Sequence, residues 1–116
     1  MNVPKIFESE YRFCLILWEN EPVSSRVLSE LCKDKLGWSK TTTYTVIKRL
    51  SDRGVVKNEN AVVTSLISKE QAQKAEVNEM LESKFEGSLP AFIAAFSKKK
   101  KLTEKEIEQI INIIEK

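Results

Sequence analysis

A chain of 116 residues with 41% hydrophobic and 31% charged residues has enough apolar material for a folded core and too much for a disordered coil. The formal net charge is only +2, histidine is absent, and three glycines leave little from which to build a phosphate-cradling loop, so an enzyme is not expected, nor a cofactor or metal site. No apolar run reaches membrane-spanning length and the opening M-N-V-P-K-I-F-E lacks a signal-peptide core, so the expectation is a cytoplasmic chain with reduced, buried Cys14 and Cys32.

The first predicted helix runs from about Glu8 to Asn20 and stops before Pro22, with Phe7 or Tyr11, Cys14, Leu15, Leu17 and Trp18 as its expected buried side. A second, capped by Ser24 and reaching about Lys35, places Val27, Leu28, Leu31 and Cys32 on one face. Leu36, Gly37 and Trp38 lead into the most informative stretch of the chain, W-S-K-T-T-T-Y-T-V-I-K-R-L-S-D-R-G. There Ser39 caps a third helix, Gly54 ends it after Arg53, and Thr43, Val46, Ile47 and Leu50 form a buried stripe at helical spacing.

The opposite face carries Lys40, Thr41, Thr42, Tyr44, Thr45, Lys48 and Arg49. Consecutive threonines each lose a few tenths of a kcal/mol in a helix relative to alanine, roughly 0.7 at most, so propensity did not select them. Short hydroxyls that approach a surface closely, flanked by cations, suit the DNA major groove: hydroxyl and methyl groups for base edges, Lys and Arg for phosphates. Charge supports the same face. Residues 38–53 hold four cations against one anion, whereas residues 68–116 are balanced, nine against nine.

After Gly54, Val55 to Lys57 and Ala61 to Leu66 read as two short β segments around the polar tip Asn58-Glu59-Asn60. Three helices and a hairpin make a winged helix-turn-helix over residues 1–67, in which the third helix reads DNA. The remainder, residues 68–116, is helical. A capping box of Ser68 and Gln71 opens a helix with Val77, Leu81 and Phe85; Ser88 opens another with Leu89, Phe92, Ile93 and Phe96; Thr103 and Glu106 open the last, with Ile107, Ile110, Ile111 and Ile114. Three amphipathic helices in so few residues make a marginal domain alone, so these stripes are expected to pack on a second copy, giving a homodimer. Lys98 to Lys101 read as a solvated connector. The expected fold is therefore mainly α with a small β-hairpin: a winged helix-turn-helix DNA-binding domain plus a three-helix dimerisation region.

Three blocks, I-F-E-S-E-Y-R-F-C-L-I-L-W-E-N from Ile6, the W-S-K-T-T block, and F-E-G-S-L-P-A-F-I-A-A-F from Phe85, occur in an order that resembles the BlaI/MecI-type penicillinase repressors over nearly the whole chain. The resemblance implies a dimeric repressor of palindromic double-stranded operators with TACA/TGTA-type half-sites. It implies Lys40, Thr41, Thr42, Thr45, Lys48 and Arg49 as DNA-contacting positions, with Ser39 as helix cap and Thr43 at an inward position usually held by valine. It further implies release through a membrane sensor-protease that cleaves the tail, the corresponding bond being Ala95–Phe96, with alanine where the family often has asparagine. The Asn58-Glu59-Asn60 tip departs from the arginine-bearing wings of related repressors, so weak wing contact is expected. The tail has no cysteine, which excludes the copper-sensing route of some members, and no small-molecule ligand is evident. The alternative reading is a winged-helix protein-interaction module without specific DNA binding.

Overall fold

In a computed structural model, which describes residues 3–97 and 103–115, the chain divides into two compact units, Met1–Lys69 and Glu70–Lys116. The first holds α1 (Glu8–Asn20), β1 (Val23–Ser24), α2 (Ser25–Leu36), α3 (Lys40–Asp52), β2 (Val56–Glu59) and β3 (Val62–Ser65), and the second α4 (Lys69–Lys84), α5 (Leu89–Ser97) and α6 (Glu104–Glu115). The architecture is mainly helical with a small antiparallel sheet, as a winged helix requires.

Each helix of the first unit has an identifiable start or stop. The Phe7 N–H donates to the Glu10 carboxylate at 2.9 Å at the head of α1, and Pro22 follows its end. Ser24 Oγ accepts from the Val27 N–H at 3.1 Å to cap α2, which stops at Gly37 in the left-handed region (φ 71°). Gly54 (φ 79°) performs the same role after α3.

The core is built from Phe13, Cys14, Ile16 and Leu17 of α1, Leu28 and Cys32 of α2, Thr43, Val46, Ile47 and Leu50 of α3, and Val55, Val56 and Val63 of the wing. Two helical faces differ from expectation. On α1 the run from Phe13 to Trp18 is apolar without interruption, so periodicity carries no phase; the helix buries Phe13 and Ile16, while Tyr11, Leu15 and Trp18 are half-buried and Phe7 is exposed. On α2 the inward row is Ser25, Leu28, Ser29 and Cys32, with Val27 outside and Leu31 half-buried, because the two small serines let α2 pack closely on its neighbours.

The wing is a three-stranded sheet in the order β1-β3-β2. β1 has no signature in the sequence: two residues carry no periodicity, yet Val23 and Ser24 pair with Val63 and Val62. The hairpin turn also lies one residue further on than Asn58-Glu59-Asn60 suggests. Glu59 pairs with Val62, leaving Asn60 (φ 53°) and Ala61 (φ 62°) as a two-residue loop with both residues left-handed, the type I′ signature. This register turns Val56 and Val63 inward, and the alternative would expose them. The Ala61 carbonyl accepts from the Ser25 N–H at 2.8 Å, which ties the loop to the start of α2.

The end of α1 holds the chain as it leaves the wing. Glu21 accepts from the Ser65 N–H at 2.7 Å and from its hydroxyl at 2.8 Å, and the Trp18 indole donates to the Ile67 carbonyl at 3.0 Å.

In the second unit, α4 begins directly after Ser68. Ser88 caps α5 through the Ala91 N–H at 3.1 Å, and Thr103 and Glu106 form the expected reciprocal capping box at the start of α6, the Glu106 N–H donating to Thr103 Oγ1 at 3.1 Å and the Thr103 N–H to the Glu106 carboxylate at 3.2 Å. Phe85 meets Phe92 edge-on at 5.4 Å between ring centres.

Candidate nucleic-acid interface

Ser39 starts α3 by turning its hydroxyl back on the helix, accepting from the Thr42 N–H at 3.1 Å and lying 2.9 Å from Thr42 Oγ1. The side chains that follow separate cleanly. Thr43, Val46, Ile47 and Leu50 are buried, and Ser39, Lys40, Thr41, Thr42, Thr45, Lys48 and Arg49 are exposed on the other side. Thr41, Thr45 and Lys48 follow at spacings of four and three residues and form the middle of that exposed face.

Tyr44 stands apart from this group. It is half-buried, its hydroxyl donates to Ser25 Oγ at 3.4 Å, and its ring lies 5.8 Å from Lys40 Nζ. Its polar end is therefore engaged with the start of α2, and it buttresses α3 more than it presents itself to a ligand.

The charge on α3 is smaller than a count along the sequence suggests. Arg53 turns inward, pairing with the buried Glu10 carboxylate, donating to the Lys5 carbonyl at 2.6 Å and lying over the Phe7 ring at 5.3 Å. A sequence count cannot find this, because Glu10 lies 43 positions away. Lys48 pairs with Asp52 at 3.5 Å, an i, i+4 relation that was legible, and on the wing Lys57 pairs with Glu59 at 3.4 Å. Of the cations on the α3 face, Lys40 and Arg49 are left without a carboxylate partner among the described residues.

Behind this face the chemistry is inert. Burial pushes the Cys14 thiol up to about 12, and burial likewise raises Cys32, with the Thr43 side chain acting weakly in the opposite direction. Both cysteines are free and buried, as expected. Among the described residues, no cluster of three metal-ligating side chains occurs and no helix is long and apolar enough to cross a membrane.

The tail residues singled out as a pairing surface are mostly half-buried within the single chain: Val77 and Phe85 on or beside α4, Leu89, Phe92 and Ile93 on α5, and Ile107, Ile110 and Ile111 on α6. Leu81 differs, being 4% exposed, so it is core of its own chain and keeps almost no surface for another. Ala95 is exposed in the last turn of α5. The side chains of Phe96 and Ile114, and the connector Lys98 to Lys101, lie outside the described residues.

The Penicillinase repressor family profile matches residues 6–116. The methicillin resistance regulatory protein MecI of Staphylococcus aureus is 25% identical over 116 residues, a match that covers 97% of this chain and 94% of that protein. With one profile spanning both units, the winged first unit and its helical sequel together, the chain belongs to the penicillinase repressor family of transcriptional regulators.

Proposed function

We propose that the protein is a dimeric, sequence-specific repressor that binds palindromic operators through α3 and pairs through its tail. The observation that carries this reading is the exposed face of α3, where Thr41, Thr42 and Thr45 stand outward among Lys40, Lys48 and Arg49 above a fully buried opposite side. Hydroxyls there reach base edges, and the cations hold phosphates on either side. The similarity to MecI, a regulatory protein, supports the same class of function.

The half-buried apolar rows of α5 and α6 support pairing with a second copy. Two α3 helices held about one DNA turn apart, about 34 Å, match a two-fold palindrome and share the entropic cost of docking. Release follows from weakening that pair. The Ala95–Phe96 bond is the proposed cleavage position for a membrane sensor-protease, and it lies in the last turn of α5; a helix end unwinds into an extended protease substrate at less cost than a helix interior.

The test is binding of the purified full chain to a duplex with an inverted TACA/TGTA repeat and to a scrambled duplex, at two salt concentrations. Preference for the repeat at two chains per duplex, with log affinity falling steeply against log salt, is the expected result. Equal, weak binding to both, with no site recovered by unbiased selection, would leave the protein-interaction reading in its place.

A further inference from the structure

Two exposed carboxylates, one on the α3 face that this reading turns toward DNA and one on the flanking wing strand β2, each sit beside a lysine. Asp52 lies four residues beyond Lys48 and continues the exposed row of Thr41, Thr45 and Lys48. Its Oδ2 lies 3.5 Å from Lys48 Nζ, with the two side chains 67% and 78% exposed. Lys57 and Glu59, two apart in β2, share one face of the wing, with Oε2 3.4 Å from Nζ. Ion pairs this exposed contribute little to stability, so holding the fold together does not account for them.

Their effect on an approaching polyanion is larger. Screening at physiological salt acts over about 8 Å, more than twice the separation within either pair, so from a distance each lysine and its carboxylate act as a weak dipole and not as a charge. At contact the lysine can exchange its carboxylate for a phosphate. That exchange requires close docking, which is what base reading by the threonines provides.

We propose that Asp52 and Glu59 are specificity-determining residues: they mask Lys48 and Lys57, suppress sequence-independent attraction to duplex DNA, and leave operator choice to the threonine face of α3. The masking rests on the reading of α3 as the DNA-contacting helix. Arg53 works in the same direction, since its charge is spent on Glu10 inside the fold.

The experiment compares the full-length chain with Asp52→Asn, Glu59→Gln and the double variant on the inverted-repeat and scrambled duplexes across a salt series. Both positions are exposed, so the variants are expected to keep the fold, which circular dichroism checks. Each substitution is expected to raise affinity for the scrambled duplex by about two- to fivefold, the range of one exposed ion pair. The log–log salt slope should steepen by up to about 0.9 per unmasked lysine, and the ratio of repeat to scrambled affinity should fall. In a Lys48→Met background the gain from Asp52→Asn should shrink. Unchanged scrambled affinity and slope in the double variant, or an undiminished gain without Lys48, would overturn the masking. Failure of the wild-type chain to prefer any duplex would instead remove the underlying reading, and the masking with it.

Discussion

Thr43 holds a core position of α3 with its hydroxyl shut away from water and without a hydrogen-bond partner of normal geometry among the described residues, the Cys32 thiol being a weak neighbour. A buried hydroxyl left unsatisfied costs about 1–3 kcal/mol, and valine has nearly the same shape, so Thr43→Val should stabilise the protein by about 1 kcal/mol in urea unfolding while leaving DNA binding intact. That Thr43 points inward was legible from its spacing with Val46, Ile47 and Leu50, whereas its lack of a full partner depends on what the other helices bring beside it. The reverse holds for Arg53. Arg53→Ala removes the partner of a carboxylate that is 5% exposed, and a loss of about 2–3 kcal/mol is expected, less than for a fully buried pair because Arg53 itself is partly exposed. Cys14 gives the unit a pH dependence. In the unfolded chain its thiol ionises near pH 9, and in the folded chain it keeps its proton to about 12, so over that window the unfolded state binds fewer protons and stability falls as pH rises. The slope from this thiol should approach about 1.4 kcal/mol per pH unit, and Cys14→Ser should flatten it in unfolding curves taken between about pH 8.5 and 10.5.

At the scale of elements, α3 was the most legible because its cap, its stop and its two faces are all written locally, and the structure places them where the spacing does. The functional weight of its face divides by residue. Thr45→Ala should relax sequence preference with a loss of about 1–3 kcal/mol on the repeat duplex alone, whereas Arg49→Ala, which removes a cation proposed to hold phosphate, should weaken repeat and scrambled duplexes alike.

The wing was legible as a hairpin but not in its register. Asn58-Glu59-Asn60 looks like a turn by composition, yet the loop settles on Asn60 and Ala61 because only then do Val56 and Val63 both face the core. β1 was invisible for a different reason, since two residues become a strand only when β3 arrives beside them. The register has a cost that can be measured. Alanine in the left-handed region loses about 1–2 kcal/mol, part of which glycine would give back as unfolded-state entropy, so Ala61→Gly should stabilise the unit by about 0.5–1 kcal/mol in thermal or urea unfolding.

At the scale of the whole molecule, the proposed pairing makes operator affinity depend on protein concentration, because the two reading helices act together only while the tails hold. Ile110 lies mid-stripe on α6 and is half-buried in the single chain, so Ile110→Asp should yield monomers by light scattering and abolish repeat binding at low concentration, with the first unit still folded. A variant that remains dimeric would place the interface elsewhere. The stripe of α6 was legible from its spacing, but α4 departs from the expected pattern: its apolar residues Ala72, Ala75, Val77, Met80 and Leu81 are spread around the helix with no single apolar face, and Leu81 shows that an apolar repeat marks what is covered and not whether the cover comes from the same chain. The positions of the two tryptophans carry a practical consequence. Trp18 donates to the Ile67 carbonyl, and Trp38 stacks on Phe13 with 6.2 Å between ring centres, so both indoles report the first unit and the second has none. Intrinsic fluorescence therefore reports the surroundings of α1 and of the start of α3, while far-ultraviolet dichroism records the helices of both units. Comparing the two signals as the protein is heated follows the winged unit against the whole chain without a label.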